Sequence, residues 1–296
     1  MKGNVWKCLF AFSALCILVG AVGLWLTYKK PIAASAERTL LQEQAFNMEG
    51  ISHFKISANL ASIHLKEGSA AEVEVRLFGK PEQDSFEYHI EEVRKPGQTE
   101  MLELQIVTGR HPKLSLHSFF AALGSRDAHF ATMAEVYLPA HLMDTVEVST
   151  MVGDIEAVEL VTNELILSSE LGKIELAHVQ GTDILVESSV GEIYLTNIAA
   201  PLKVNSNVGK VSWTNARPEH PVDIRTDVGD VKVNLHQAPI TLELEVLLGT
   251  IQTDSSTNLP RVEQEEGTYV HGSIGTGGPL VKVLTHVGNI QVEAAP

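Results

Sequence analysis

Two sets of residues in this chain have the types that chemistry requires, a population of twelve histidines and a recurring row of carboxylates. Zinc peptidases place two histidines four residues apart on a helix with a glutamate between them, and no pair here has that arrangement. His111, His117, His129 and His141 cluster, but their separations match no standard metal site, so they read as loop or surface residues. Both cysteines, Cys8 and Cys16, lie in an apolar N-terminal run, which leaves no Cys-based nucleophile or metal site beyond it. Gly272, Gly275, Gly277 and Gly278 form a glycine-rich stretch, yet no lysine or helix start follows at phosphate-loop spacing. Asp154, Glu192 and Asp230 remain as candidates for glycan cleavage, which needs carboxylates converging on one face. Lys173 and Lys210 alternate with them, so the row is expected to be a solvated charge ladder whose lysines pair with the acids. No catalytic, metal-binding or cofactor-binding residue is therefore assigned, and the chain is read as a non-enzyme.

The elements that hold this row come from a repeat. Gly153, Gly172, Gly191, Gly209, Gly229, Gly249 and Gly288 are spaced by 19, 19, 18, 20, 20 and 39 residues. A constant period near twenty marks stacked repeats, and the last interval is two periods, with one glycine missing or moved. Seven residues before each glycine stand Val146, Leu165, Ile184, Leu202, Val222, Leu242 and Val281. Five before stand Val148, Leu167, Val186, Val204, Ile224, Leu244 and Val283, and two after stand Ile155, Ile174, Ile193, Val211, Val231, Ile251 and Ile290. Immediately before come Val152, Leu171, Val190, Val208, Val228, Leu248 and Val287. All four rows are expected to face inward, because period-2 alternation marks a strand with one buried face and helical spacing would scatter them. The alternation breaks phase at the glycine, which tolerates the crowding of a corner. Strand, corner and strand, repeated every coil, predict an all-β fold, a β-solenoid of ~20-residue coils. Three before the glycine runs Thr150, Ser169, Ser188, Ser206, Thr226, Val246 and Thr285, mostly small hydroxyls able to hydrogen-bond along a ladder. An early coil fits the same frame through Phe54, Ile56, Leu60, Ile63 and Leu65, with Ala61 in the glycine slot.

The N-terminal thirty residues are of another material. Cys8 to Leu26 carries no charge, Lys2 and Lys7 precede it, and Lys29 and Lys30 follow. Such a run can span a bilayer core of about 30 Å, and Trp6, Trp25 and Tyr28 sit where interfacial aromatics belong. A cleaved signal peptide is the competing reading, with Ala34-Ser35-Ala36 near a cut. The length of the run and the lysines before that cut favour an uncleaved transmembrane anchor over residues 1–30. Lysines on both sides leave orientation open under the positive-inside rule, and a large β-rich domain after one span favours export. Residues 31–50 read as a juxtamembrane linker of mixed, partly helical propensity, and 51–293 as the solenoid domain. Without the four anchor-flanking lysines the chain has 18 basic against 37 acidic residues, which opposes nucleic acid as a partner.

Residues 80–140 interrupt the repeat as an irregular insertion. Phe86–Ile90 and Met101–Val107 read as strands joined through Lys95-Pro96-Gly97. Phe119, Phe120 and Phe130 fall in a stretch without periodicity and make it the candidate partner-binding segment. Arg261 to Gly278 fills the doubled interval and is expected to be a distorted coil.

Glu135-Val136-Tyr137-Leu138-Pro139, followed by Val-Gly-Asp-Ile-type turns, resembles the bacterial putative-adhesin domain family of unknown function. The closing run Gly272-Ser273-Ile274-Gly275-Thr276-Gly277-Gly278-Pro279, then Thr285-His286-Val287-Gly288-Asn289-Ile290, is similar to the end of that group. Glu170, Ser189, Asn207 and Asp227 vary at the position where many relatives carry serine before the turn. The resemblance covers roughly 51–293 and implies a repeat-rich solenoid, an association with cell-envelope-stress systems, and no catalytic residues. The expected function is a membrane-anchored, extracytoplasmic interaction module whose partners are cell-envelope components or other membrane proteins. An accessory of an envelope-stress regulatory system and a carbohydrate-active β-helix are the alternatives.

Overall fold

The computed structural model describes residues 38–68, 72–79, 88–93, 100–108, 132–139, 143–236, 239–253, 261–264 and 267–295. The segment Cys8–Leu26 and the phenylalanines Phe119, Phe120 and Phe130 lie outside the described residues. Among the described residues no helix is long and apolar enough to cross a membrane. They form two sheets, of 11 and 12 strands, whose inner faces pack against each other. Each coil places one strand in each sheet. In the best-formed stretch the coils are Thr145–Val152 with Ile155–Val158, Glu164–Leu171 with Ile174–Gln180, and Asp183–Val190 with Ile193–Ala199. Leu202–Val208 with Val211–Ala216 and Val222–Val228 with Val231–His236 continue the stack. Their pairing is parallel and in register, so Leu167 lies beside Val148 and Val186.

The rows seven before, five before and two after the glycine are buried throughout, from Val146 and Val148 to Val283 and Ile290. The row immediately before the glycine is not. Val190, Val208, Val228, Val287 and Leu248 are exposed, while Val152 and Leu171 are half-buried. The inward place goes instead to the hydroxyl row, in which Thr150, Ser169, Ser188, Ser206, Thr226 and Thr285 are buried. The cause lies in the backbone. The chain starts to turn after the hydroxyl, so the next two residues both point outward, and the glycine-slot carbonyl of the neighbouring coil comes within reach of the hydroxyl. Thr150 Oγ1 donates to the Ala61 carbonyl at 3.1 Å, Ser169 Oγ to Gly153 at 3.4 Å and Thr285 Oγ1 to Gly229 at 3.0 Å. A larger apolar side chain there would leave those carbonyls unpaired.

The coil order differs from the chain order at both ends. Leu280–Val287 lies between Val222–Val228 and Ile240–Leu248, and Ile290–Ala295 lies between Val231–His236 and Ile251–Thr253. The final coil is thus intercalated, and no glycine corner is missing. Other described residues of the interval form an antiparallel cap in place of the expected distorted coil. Gly267–Ile274 pairs with Ile240–Leu248, and Arg261–Gln264 pairs with Gly267–Ile274. Gly275 and Gly277, at φ +68° and +79°, turn the chain from this cap into the intercalated strand.

At the other end, Met101–Thr108 and Met133–Leu138 form a coil outside His53–Leu60 and Ser62–Glu67. Tyr88–Val93 pairs antiparallel with Met101–Thr108, as a hairpin. Thr39–Asn47, read from sequence within a linker, is an edge strand antiparallel to Glu72–Gly79. Antiparallel strands close the parallel stack where an open edge would invite pairing with other chains.

Val186 is fully buried and Glu187 beside it is exposed. Val186→Asp should abolish cooperative thermal unfolding, since an unpaired interior carboxylate costs several kcal/mol. Glu187→Ala should shift stability by under about 0.5 kcal/mol. Equal melting of the two variants would contradict the observed facing of this strand.

Candidate functional site

The carboxylate row after the glycines stands at a corner where backbone amides of successive coils face the same way. Ser62 Oγ accepts from the Asp154 amide at 3.1 Å, and Asp154 Oδ1 accepts from the Lys173 amide at 2.7 Å. Farther along, Asp230 Oδ1 accepts from the Asn289 amide at 2.8 Å, and Asn289 Oδ1 from the Thr250 amide at 3.1 Å. This is a ladder of side-chain oxygens on backbone donors. The lysines do not bridge the acids as the sequence pattern suggests. Lys173 Nζ instead reaches Glu175, two residues on, at 2.6 Å, and Glu192 takes the Tyr194 hydroxyl. A side chain two residues along a strand lies on the same face and is the nearer partner. Asp154, Glu192 and Asp230 are one every two coils, separated by about 9–10 Å at the usual strand spacing, and the structure does not bring them together.

A denser polar cluster, which the sequence did not single out, sits on the outer face of the 11-stranded sheet. Three strands supply it, because the sheet order places Glu72–Gly79, Met133–Leu138 and Ser62–Glu67 side by side. Alternation in Glu135-Val136-Tyr137-Leu138 buries Val136 and Leu138 and turns Glu135 and Tyr137 outward. Glu135 receives Lys66 Nζ at 2.8 Å and the Tyr137 hydroxyl at 2.9 Å. The Arg76 guanidinium lies 5.0 Å from the Tyr137 ring centre and bonds Glu74 and Glu43. Burial acts to raise the Glu135 carboxyl, but its bonds from Lys66 and Tyr137 hold it below the usual range. Burial, and then the bond to Glu135, pushes the Tyr137 hydroxyl up. A phenol so held is a weaker nucleophile, and each charge has a partner. The cluster is an ion network over three strands, joined to a fourth, Thr39–Asn47, through Glu43, and the shifts of Glu135 and Tyr137 move both groups away from the neutral range.

The described histidines are dispersed. His286 Nδ1 lies 2.9 Å from Asp227, His178 Nδ1 3.2 Å from Asn197, and His89 Nε2 2.7 Å from Glu91. Among the described residues no three ligand-type side chains converge as a metal site would require. His111, His117, His129 and His141 lie outside the described residues. The alternating pattern of the Glu135 segment was the signal for the ion network, but nothing in one dimension placed Lys66 and Arg76 beside it.

Two consequences can be measured. Asp154→Asn keeps the oxygen that caps the Lys173 amide, as Asn289 does naturally, so its melting temperature should match the parent. Asp154→Leu removes the acceptor and should cost about 1 kcal/mol, read by denaturant unfolding. The second concerns His64, whose Nδ1 is 3.5 Å from Glu156. Burial lowers its pKa below the ordinary 6.5, outweighing the attraction of Glu156 and, farther off, Glu135, with Lys66 and Arg38 adding repulsion. The unfolded chain then binds the proton more readily. Its contribution is complete above about 6.5 and falls away as pH drops through that value toward the lower folded pKa. His64→Gln should flatten the loss of melting temperature between neutral and mildly acidic pH, and an unchanged slope would contradict this.

No curated protein matches the chain. A protein described as a putative cell adhesion protein from Clostridium sporogenes is similar in structure, with 14% identity and a TM-score of 0.42 over 88% of this chain and 100% of that one. A protein described as a putative adhesin from Bacteroides fragilis is similar at 13% identity and a TM-score of 0.42, over 88% and 98%. The sequence model of the Toastrack DUF4097 family matches residues 51–201 and 112–293, which together take in every glycine corner. By that match, laid over the stacked coils it spans, the chain belongs to the Toastrack DUF4097 family.

Proposed function

We propose that this chain is a membrane-anchored, extracytoplasmic interaction module, adhesin-like and non-catalytic, which binds through side-chain rows on a rigid solenoid. One observation carries the reading. Asp154 and Asp230, two members of the candidate glycan-cleaving row, each hold a backbone amide of the adjacent coil. Their role is to fasten coils, and the resemblance to an adhesin-type family supports the same conclusion. What the fold offers a partner is length, a set of in-register rows repeating every ~4.8 Å. Phe119, Phe120 and Phe130 are proposed as a partner-binding segment on the strength of their clustering, and the anchor rests on the uncharged run Cys8–Leu26.

Full-length protein expressed in its host should sediment with membranes, resist extraction by high salt and be digested when intact cells are treated with protease. Protection from that protease would place the domain inside and overturn the extracytoplasmic reading. Recovery in the medium starting near Glu37 would replace the anchor by a cleaved signal. Asp154→Asn combined with Glu192→Gln should leave binding to envelope material unchanged. Saccharide cleavage that disappears in this double variant would overturn the non-catalytic assignment.

A further inference from the structure

The residues immediately before the glycine slots form a continuous apolar ridge along the corner, from Leu60 to Leu248, because each stacks on its equivalent in the next coil. Over its last five members the exposures are 44% for Val190, 46% for Val208, 47% for Val228, 43% for Val287 and 68% for Leu248. Single exposed aliphatic residues need no explanation, but an unbroken row does. Its eight members span about 34 Å at the spacing of adjacent strands. We infer that this ridge is a self-association surface, on which a second copy of the chain packs antiparallel about a two-fold axis.

Charge on the flanking row selects that occupant. In spatial order the residues after the glycine slots are Ser62, Asp154, Lys173, Glu192, Lys210, Asp230, Asn289 and Thr250. A two-fold axis perpendicular to the ridge at its midpoint, between Val190 and Val208, brings this row against its own copy in reverse. Glu192 then faces Lys210 of the second copy and Lys173 faces Asp230, each pair formed twice by symmetry. A parallel arrangement would set Asp230 against Asp227 of the copy and Lys173 against Glu170, so that its opposed pair cancels its favourable one. On the far side of the ridge, the antiparallel arrangement has one unfavourable pair, Glu170 with Asp227, also formed twice, against the two favourable pairs. A half-exposed valine or leucine contributes on the order of 50 Å² of apolar surface, so the ridge offers roughly 400 Å² per copy. With its charged rims, a ridge-to-ridge contact buries on the order of 1,000 Å² in all, the lower range for a specific interface. The association is accordingly weak and reversible. The overall charge of −15 makes an anionic lipid surface the poorer occupant.

The test is sedimentation of the full-length chain in a mild detergent across micromolar concentrations. The native chain should show a monomer–dimer equilibrium. Val208→Lys with Val228→Lys should shift it to monomer with an unchanged melting temperature, as both positions are exposed. Lys210→Glu opposes like charges twice across the axis and should raise the dimer Kd about ten-fold. Adding Glu192→Lys to Lys210→Glu reverses both partners and should restore the native Kd. A native chain that stays monomeric, or a dimer indifferent to the valine pair, overturns the proposal. Failure of the charge swap to rescue association overturns the antiparallel register. The Lys210→Glu series keeps the test decisive even if the valine variants fold poorly.

Discussion

The close approach of backbone to backbone at the glycine corner is the constraint on which the rest of this structure depends. At each of Gly153, Gly172, Gly191, Gly209, Gly229, Gly288 and Gly249, a Cβ would lie 1.7 to 2.2 Å from the carbonyl oxygen of the glycine slot one coil below. No side chain can occupy that space, and the stacked carbonyls are backbone that cannot yield. The corners therefore align in one column, and their alignment fixes the parallel, in-register pairing of both sheets. The exception supports the argument. Ala61 occupies the first slot, and the strands of the coil beneath, Met101–Thr108 and Met133–Leu138, are separated in sequence by residues 109–132 instead of by the two residues of a glycine corner.

Alignment of the corners also decides how polar groups are used. Once the corner amides fall in a column, a side-chain oxygen one coil below is at hydrogen-bonding distance, which is why Ser62, Asp154, Asp230 and Asn289 act alike despite their different charges. On the interior side the hydroxyls of Thr150, Ser169 and Thr285 answer the corner carbonyls in the same way, whereas the buried hydroxyls of Ser188, Ser206 and Thr226 form no hydrogen bond among the described residues. Carboxylates that look like chemistry in one dimension are thereby committed to structure, and the exposed positions left over form rows. An interaction module follows more readily from such rows than an active site does, because catalysis needs convergence and a solenoid wall repeats without converging.

Coil order at the C-terminal end has an electrostatic reason. Stacked directly, the coils of Val222–Val228 and Ile240–Leu248 would put Asp223 beside Glu243 on the outer face of the 12-stranded sheet, a contact worth about 1 kcal/mol of repulsion even in water. Intercalation places Lys282 between them, with Nζ 2.7 Å from Glu243 Oε1. On the other sheet the intercalated strand brings Glu293 to Lys232 at 2.9 Å. The antiparallel cap then closes the stack on Ile240–Leu248, the outermost strand of the parallel series.

The amino-acid sequence by itself determined the coil. The recurrence of glycine marked the corners, and the alternation around it identified Val148, Leu167, Val186 and Ile174 as interior, because burial of one sheet face is a local, period-2 property. It could not settle the row before the glycine. An apolar residue at a phase break fits an inward or an outward place equally, and only the turning backbone, beginning after the hydroxyl row, sends Val208 and Val228 outside. Nor could it order the coils, since the apolar frame is the same in every repeat and each coil fits on any other. The discriminating information lay in charges such as Asp223, Lys282 and Glu243, which have meaning only once a stacking order is proposed. The ion network of Lys66, Arg76, Glu135 and Tyr137 was hidden for a related reason. Its members come from three strands that are neighbours only because Met133–Leu138 inserts between two earlier ones, a long-range pairing that local pattern does not encode and tertiary structure alone decides.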